Sequence, residues 1–220
     1  LAQSIYLCKN GDYIKQDITE GLDIDLTQGY DSITFAVPQM AKTVKIAYNG
    51  ATASVTIPSF VTGVTCTSGT SADVVIASTN VTDEITYMMS GKSDDGSLTI
   101  SGDYKLTVDF DNVSLTSTKG GAVDIQCGKR INIDLHGNNT FADAAGGTQK
   151  ACFYSKGHME FSQDGSISVT GNAAHAIAAK EYIEVKSKVG NINIVKAAKD
   201  AIHCGQYFDM KGGTISIDKN

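Results

Sequence analysis

Pairs of apolar residues at positions i and i+2 return about every 25 residues through the C-terminal half of the chain. One set is Cys152/Tyr154, Ile177/Ala179 and Ile202/Cys204. A second is Ile131/Ile133, Met159/Phe161, Ile183/Val185 and Phe208/Met210, and a third is Ile167/Val169, Ile192/Ile194 and Ile215/Ile217. The i, i+2 spacing puts both side chains on one face of a strand. Three such strands per period predict a parallel β-helix, because a lone strand of this length cannot bury its apolar face. Stacking turn on turn satisfies the strand N–H and C=O groups and builds one continuous core. Gly165, Gly190 and Gly213 each stand two residues before a strand's first Ile, which predicts corners with φ > 0.

The pattern runs backwards through Val123/Ile125, Val113/Leu115, Leu106/Val108 and Leu98/Ile100. The small-residue stretch ADAAGGTQK (142–150) reads as a loop inserted into one turn, and Asn139 stands where later turns carry Ile167, an inward or corner position. Residues 1–80 lack the period. There, SIYLCKNGDYIKQDI predicts a hairpin around Asn10-Gly11, DSITFAV (31–37) a strand ended by Pro38, and TVKIAYNGATASVTI a hairpin around Asn49-Gly50. TGVTCTSGTSADVVIAS adds two short strands. The expected organisation is a small β-rich capping region over 1–80 and the β-helix over 81–220, joined near Thr79 to Thr82.

Composition narrows the function classes. The chain has 220 residues, 41% of them hydrophobic, with 22 glycines and only 2 prolines, so long linkers are not expected. A net charge of −6 and no basic run argue against nucleic acid. No apolar stretch is long enough for a membrane-spanning helix. The five cysteines include no CxxC pair, which argues against a zinc site of that kind. Cys152 and Cys204 are expected two turns apart, about 10 Å and too far for a disulfide, whereas Cys8 with Cys66 stays open. Leu1 is not an initiator Met, and Leu-Ala-Gln fits the scar of a removed export signal. The last strand finishes close to Asn220 without a cap, so further chain or a covering partner is expected at that end.

Stacking turns places residues in columns about 4.8 Å apart. Between the second set of pairs lie Asn132, Glu160, Glu184 and Asp209. Stacked carboxylates repel, so either Lys186 and Lys211 neutralise them or a divalent cation such as calcium does. The neighbouring column reads Arg130, His158, Tyr182 and Tyr207. It offers donors and aromatic rings for sugar recognition, or rings that merely pack on one another. Lys150, His175 and Asp200 form a third column, read as corner residues rather than a compact triad. Asp109 and Asp111, with the adjacent amide of Asn112 and with Asp124 in the following strand, form a second possible calcium set, although turn chemistry explains Asp-Asn as well.

Three stretches carry a resemblance: DFDNVSLTSTKGGAVDIQCGKRINIDLHGNNTFAD (109–143), KACFYSKGHMEFSQDGSISVTGNAAHAIAAKEYIEV (150–185) and GNINIVKAAKDAIHCGQYFDMKGGTISI (190–217). Residues 83–220 resemble a bacterial carbohydrate-binding domain family with a right-handed parallel β-helix similar to that of polysaccharide lyases. Residues 1–37 look like the leading segment of exported proteins of the Bacteroides group. The resemblance implies an all-β fold and extracellular, secreted or cell-surface binding of polysaccharide, acidic sugars and cellulose included. It also implies bound calcium and no catalysis. A lyase acting on uronate polymers and a purely structural adhesin are the alternatives. The chain has no Trp and few aromatics, 7%, so a sugar platform would rest on Tyr, polar ladders and ions.

Overall fold

The computed structural model describes residues 4–19, 21–35 and 42–218. The chain forms two compact units, Leu1–Ala41 and Lys42–Asn220.

In the first unit, β1 (Ser4–Lys9), β2 (Asp12–Asp17) and β3 (Ser32–Thr34) make an antiparallel sheet in the order β2-β1-β3. Asn10 (φ 54°) and Gly11 (φ 83°) form the expected two-residue turn, because positive φ at both positions matches the twist of the flanking strands. Ile5 and Leu7 are buried. The end of the DSITFAV strand and Pro38 lie outside the described residues.

The second unit begins with β4 (Thr43–Asn49) and β5 (Thr52–Thr56), the hairpin expected around Asn49-Gly50, then β6 (Val64–Cys66) and β7 (Asp73–Ser78), also antiparallel. It continues with β8 (Ile85–Ser93), β9 (Ser97–Ser101), β10 (Leu106–Thr116), β11 (Val123–Gln126), β12 (Arg130–His136), β13 (Asn138–Ala142) and β14 (Ala151–Ser155). The last turns contain β15 (His158–Ser162), β16 (Ser166–Gly171), β17 (His175–Ala179), β18 (Ile183–Val185), β19 (Asn191–Ala197), β20 (Ile202–Cys204), β21 (Phe208–Met210) and β22 (Thr214–Ile217). β4 runs parallel to β8 and β7 parallel to β9. Residues 42–80 therefore share the solenoid's compact unit, and the units meet at 41/42, ahead of the join read from the sequence.

The unit is a parallel β-solenoid with three faces. Face one is the ladder β7-β9-β11-β14-β17-β20. Face two is β8-β10-β12-β15-β18-β21 and face three is β13-β16-β19-β22, with the long strands β8 and β10 bending to serve both. Leu106/Val108 and Val113/Leu115 thus belong to one bent strand. Its corner is Asn112, at φ 52°, whose Oδ1 accepts from the Asn138 N–H of the next turn at 3.1 Å. The core is a stack of aliphatic side chains around Phe110, Phe141, Phe153 and Phe161, whose rings meet mostly edge to face.

The second and third columns have the registers read from the sequence, with Ile131 over Met159, Ile183 and Phe208, and Ile167 over Ile192 and Ile215. Asn139 faces inward beside Ile167 and is 1% exposed. It stays there because its amide is satisfied: Oδ1 accepts from Val113 N–H at 2.8 Å, and Nδ2 donates to the carbonyls of His136 and Ser166.

Two expectations change. In the first column Phe153, not Cys152, pairs with Ile177. All of Ala151 to Ser155 is buried, so no polar residue fixed the alternation there. Lys150 therefore does not share a column with His175, which pairs with Ala151. Of the corner glycines, only Gly213 has positive φ. Gly165 and Gly190 are needed for closeness instead: a Cβ would lie 2.5 Å from Leu135 C at Gly165 and 2.7 Å from Ser166 Oγ at Gly190.

Candidate functional site

Face two carries the two columns singled out in the sequence, and the register assembles both. Asn132, Glu160, Glu184 and Asp209 lie one above another. Their charge is answered by lysines. Lys186 Nζ lies 3.2 Å from Glu160 and also bonds Glu184, while Lys211 Nζ lies 2.8 Å from Glu184 and 3.7 Å from Asp209. Hydrogen bonds from Lys186 and Lys211 hold the Glu184 carboxyl below the usual carboxylate range, against a smaller opposing effect of burial. Lys186 and Lys211 thus stand between the carboxylates of the column.

The second column stacks as well. His158 lies on Tyr182 with ring centroids 4.2 Å apart, and Tyr182 on Tyr207 at 4.7 Å and 4°. The ring faces are therefore turned to each other, and Tyr182 presents its edge. Its hydroxyl donates to Glu160 at 3.2 Å, and burial together with the Glu160 charge pushes its pKa up to about 12. His158 Nδ1 lies 3.1 Å from Glu181. Arg130 forms a two-point ion pair with Glu84 at 2.7 Å. Tyr207, at the end of the stack, is 52% exposed, while His158 and Tyr182 are half-buried.

The second carboxylate set is split. Asp109 and Asp111 lie on β10, with Asp134 and His136 beside them on β12, whereas Asp124 is on β11 in face one. Asp109 Oδ1 is buried without a hydrogen-bond partner, with His136 Nε2 at 3.6 Å. Burial raises the Asp109 pKa; His136 lowers it, while Asp134 and Asp111 add repulsion. The other carboxylates of the set are engaged locally, Asp111 with Asn112 and Asp134 with Asn132 and Ser162, and they are not among the side chains that converge closely enough to share one ion.

Face one contains what the sequence reading missed, a groove. Its outward column is Thr99, Asp124, Tyr154, Ala178 and His203, five turns and about 19 Å long. Three adjoining cavities of about 280, 210 and 340 Å³ run along it, sharing Lys150 and Tyr154 at one junction and Asp124 and Gln149 at the other. The floor is apolar and low, made by Ala151, Ala178 and Tyr154. The rim is basic: Lys150, Lys180 and Lys199 line the first cavity. Lys150 Nζ sits 4.9 Å over the Tyr154 ring and donates to its hydroxyl at 3.2 Å. Burial raises the Asp124 carboxyl, partly offset by a Gln126 hydrogen bond and by Lys150.

The wall of the groove is the inserted loop 143–150. Asp143, 3% exposed, holds it in place: its carboxylate accepts from the Asn172 N–H and from Gln149 Nε2 at 2.7 Å, and its carbonyl accepts from Asn172 Nδ2 at 2.8 Å. The signal was present in the sequence. An insertion in an otherwise even repeat must rise over one face of the solenoid.

Within the solenoid unit Cys127, Cys152 and Cys204 are free thiols. Burial drives the Cys152 thiol far above its ordinary range, which makes it inert. No helix among the described residues is long and apolar enough to cross a membrane.

Among solved structures, the chain is similar to a polysaccharide lyase-like protein from C. thermocellum, described as a gadolinium derivative, with a TM-score of 0.60 and 19% identity over 80% of this chain and 82% of that one. At that identity the likeness speaks for the fold. Comparison with curated proteins gives no match. Residues 64–220 match the family model described as carbohydrate-binding domain-containing protein. That match spans most of the chain and nearly all of the solenoid, and the chain belongs to the carbohydrate-binding domain-containing protein family.

Proposed function

We propose that this is a non-catalytic extracellular module, secreted or held at a cell surface, that binds an acidic polysaccharide along the groove of face one. The observation that carries this reading is the pairing of an apolar floor, Ala151, Ala178 and Tyr154, with a rim of Lys150, Lys180 and Lys199. Sugar rings present apolar C–H faces to such a floor, while uronate carboxylates meet ammonium groups at the rim. Face two suits an anionic chain poorly, because Glu160, Glu184 and Asp209 line it and its ring faces are already used in stacking. Calcium assistance belongs to the proposal, and the unpartnered buried oxygen of Asp109 is the ligand atom that supports it.

A panel of neutral and acidic polysaccharides, screened with and without chelator, tests the reading. Retention of uronate polymers over neutral ones is the expected result. Equal or absent retention of both would leave the lysine rim without a purpose. A lyase is the second reading, favoured by one observation: Lys150, His175 and His203 line a single cavity and are the residue types from which a proton-abstracting base is drawn. Unsaturated-product absorbance on polygalacturonate decides it. The binding-module reading expects no product at high protein concentration.

A further inference from the structure

At the far end of the groove, two turns bring three ligand-bearing side chains together. His175 opens β17, Asp200 lies directly beneath it on the next turn, and His203 follows in β20. One ligand atom from each lies within 4.8 Å of the others. The two imidazole rings stack at 4.3 Å and 21°. Both aim Nδ1 at one carboxylate oxygen, Asp200 Oδ2, at 3.3 Å from His175 and 2.9 Å from His203.

We infer that His175, Asp200 and His203 form a binding site for a zinc-class divalent cation, with open positions facing the groove. Zinc takes imidazole nitrogen and carboxylate oxygen at about 2.0–2.2 Å, and the edge of such a tetrahedron is about 3.3 Å. The two Nδ1–Oδ2 separations, 3.3 and 2.9 Å, are near that edge, and an ion would require the stacked rings to rotate so that both lone pairs converge on it.

Hydrogen bonds hold the cluster as it stands: the Asp200 backbone N–H donates to His175 Nδ1 at 3.2 Å, and His203 Nδ1 lies 2.9 Å from Asp200 Oδ2. An ion taking the His175 lone pair would displace that N–H, which belongs to an exposed residue and can turn to water.

The lysines set what the open positions take. Lys180 and Lys199 line the same cavity as the two histidines. They oppose a bare cation and favour one that carries an anion, so the completing ligand is a carboxylate or hydroxyl oxygen of the glycan. This second half of the inference rests on the groove reading above; the ion site does not. Imidazole ligands also separate the site from calcium, which prefers oxygen.

The test is titration of the full chain with Zn²⁺ by calorimetry and with Co²⁺ by visible absorbance, without glycan. One ion per chain is expected. Loss of an outer partner of a metal ligand costs 10–100-fold in affinity, so losing a direct ligand in His203→Ala, Asp200→Asn or His175→Gln should cost about 100-fold or more. Glu184→Gln on face two should change nothing. Failure to bind, or equal binding in all three variants, overturns the site. A second arm measures retention of an acidic oligosaccharide by zinc-loaded protein and by His203→Ala, both in calcium. Retention indifferent to zinc removes the ion's part in glycan binding. Zinc binding without retention in any state keeps the ion site and sinks the groove reading instead.

Discussion

Over the turns that carry Glu160 and Glu184, face two is chemically closed, while face one, built from the same turns, is open. On face two the repeat is regular, and like residues fall above like. Carboxylates stack on carboxylates and rings on rings, and the chain answers each from within, with Lys186 and Lys211 between the acids and ring faces packed on ring faces. On face one the repeat is broken by the insertion before β14, which raises a wall over small residues and leaves a groove. Regular columns neutralise themselves, and a departure from the period is what makes room for a ligand.

The wall is the first place to break that contrast. Asp143→Ala removes a buried carboxylate that holds Asn172 and Gln149. Hydrogen bonds to a charged group contribute about 1.5–3 kcal/mol each, and the freed donors would be left unpaired, so a loss of about 2–3 kcal/mol is expected in denaturant unfolding. Glycan retention should fall with it. A stable Asp143→Ala protein with full retention would mean that the wall does not shape the site.

Next in size is a paired comparison of affinities. The triple substitution of Lys150, Lys180 and Lys199 by Ala should weaken acidic-glycan binding about tenfold or more, roughly 1.4 kcal/mol, with strong salt dependence. Tyr182→Ala with Tyr207→Ala should leave binding within about threefold, because those rings already occupy one another. The reverse ordering would move the site to face two.

The smallest effect separates the faces by sign. The Glu184 carboxyl is held low by Lys186 and Lys211, so its stabilisation is complete above the ordinary Glu range and is lost as pH falls through its lowered folded value. Glu184→Gln should cost under about 1 kcal/mol at neutral pH, less in high salt. Asp124 is raised by burial, so its folded state is favoured when protonated and loses stability as pH rises through its raised value. Asp124→Asn should therefore stabilise at neutral pH and do little in acid. Denaturation midpoints between pH 3 and pH 7 would show the two variants diverging in opposite directions; parallel curves would show that the two carboxyls share one environment.

The same contrast explains what could be read from the sequence. Regular columns are legible because period and parity are both visible: Ile131, Met159, Ile183 and Phe208 alternate with polar residues and return on schedule. The acidic ladder and the tyrosine stack followed from that register. The groove did not, because it depends on where a non-repeating loop folds back and on ACFYS, where five buried residues in a row hide the parity. One misplaced register step put Lys150 in line with His175, and it hid that His175, Asp200 and His203 converge by themselves. Nearness in sequence groups Asp124 with Asp109 and Asp111, whereas the fold sends it to another face.

Lysine reactivity in the presence and absence of a bound acidic oligosaccharide puts the comparison to one measurement. Acetylation rates read by mass spectrometry report Lys150, Lys180 and Lys199 around the groove and Lys186 and Lys211 on the ladder in the same sample. Slower labelling of the first three, with the last two unchanged, is the predicted result. Protection of Lys186 and Lys211 with the groove lysines still reactive would place the glycan on face two and contradict the account.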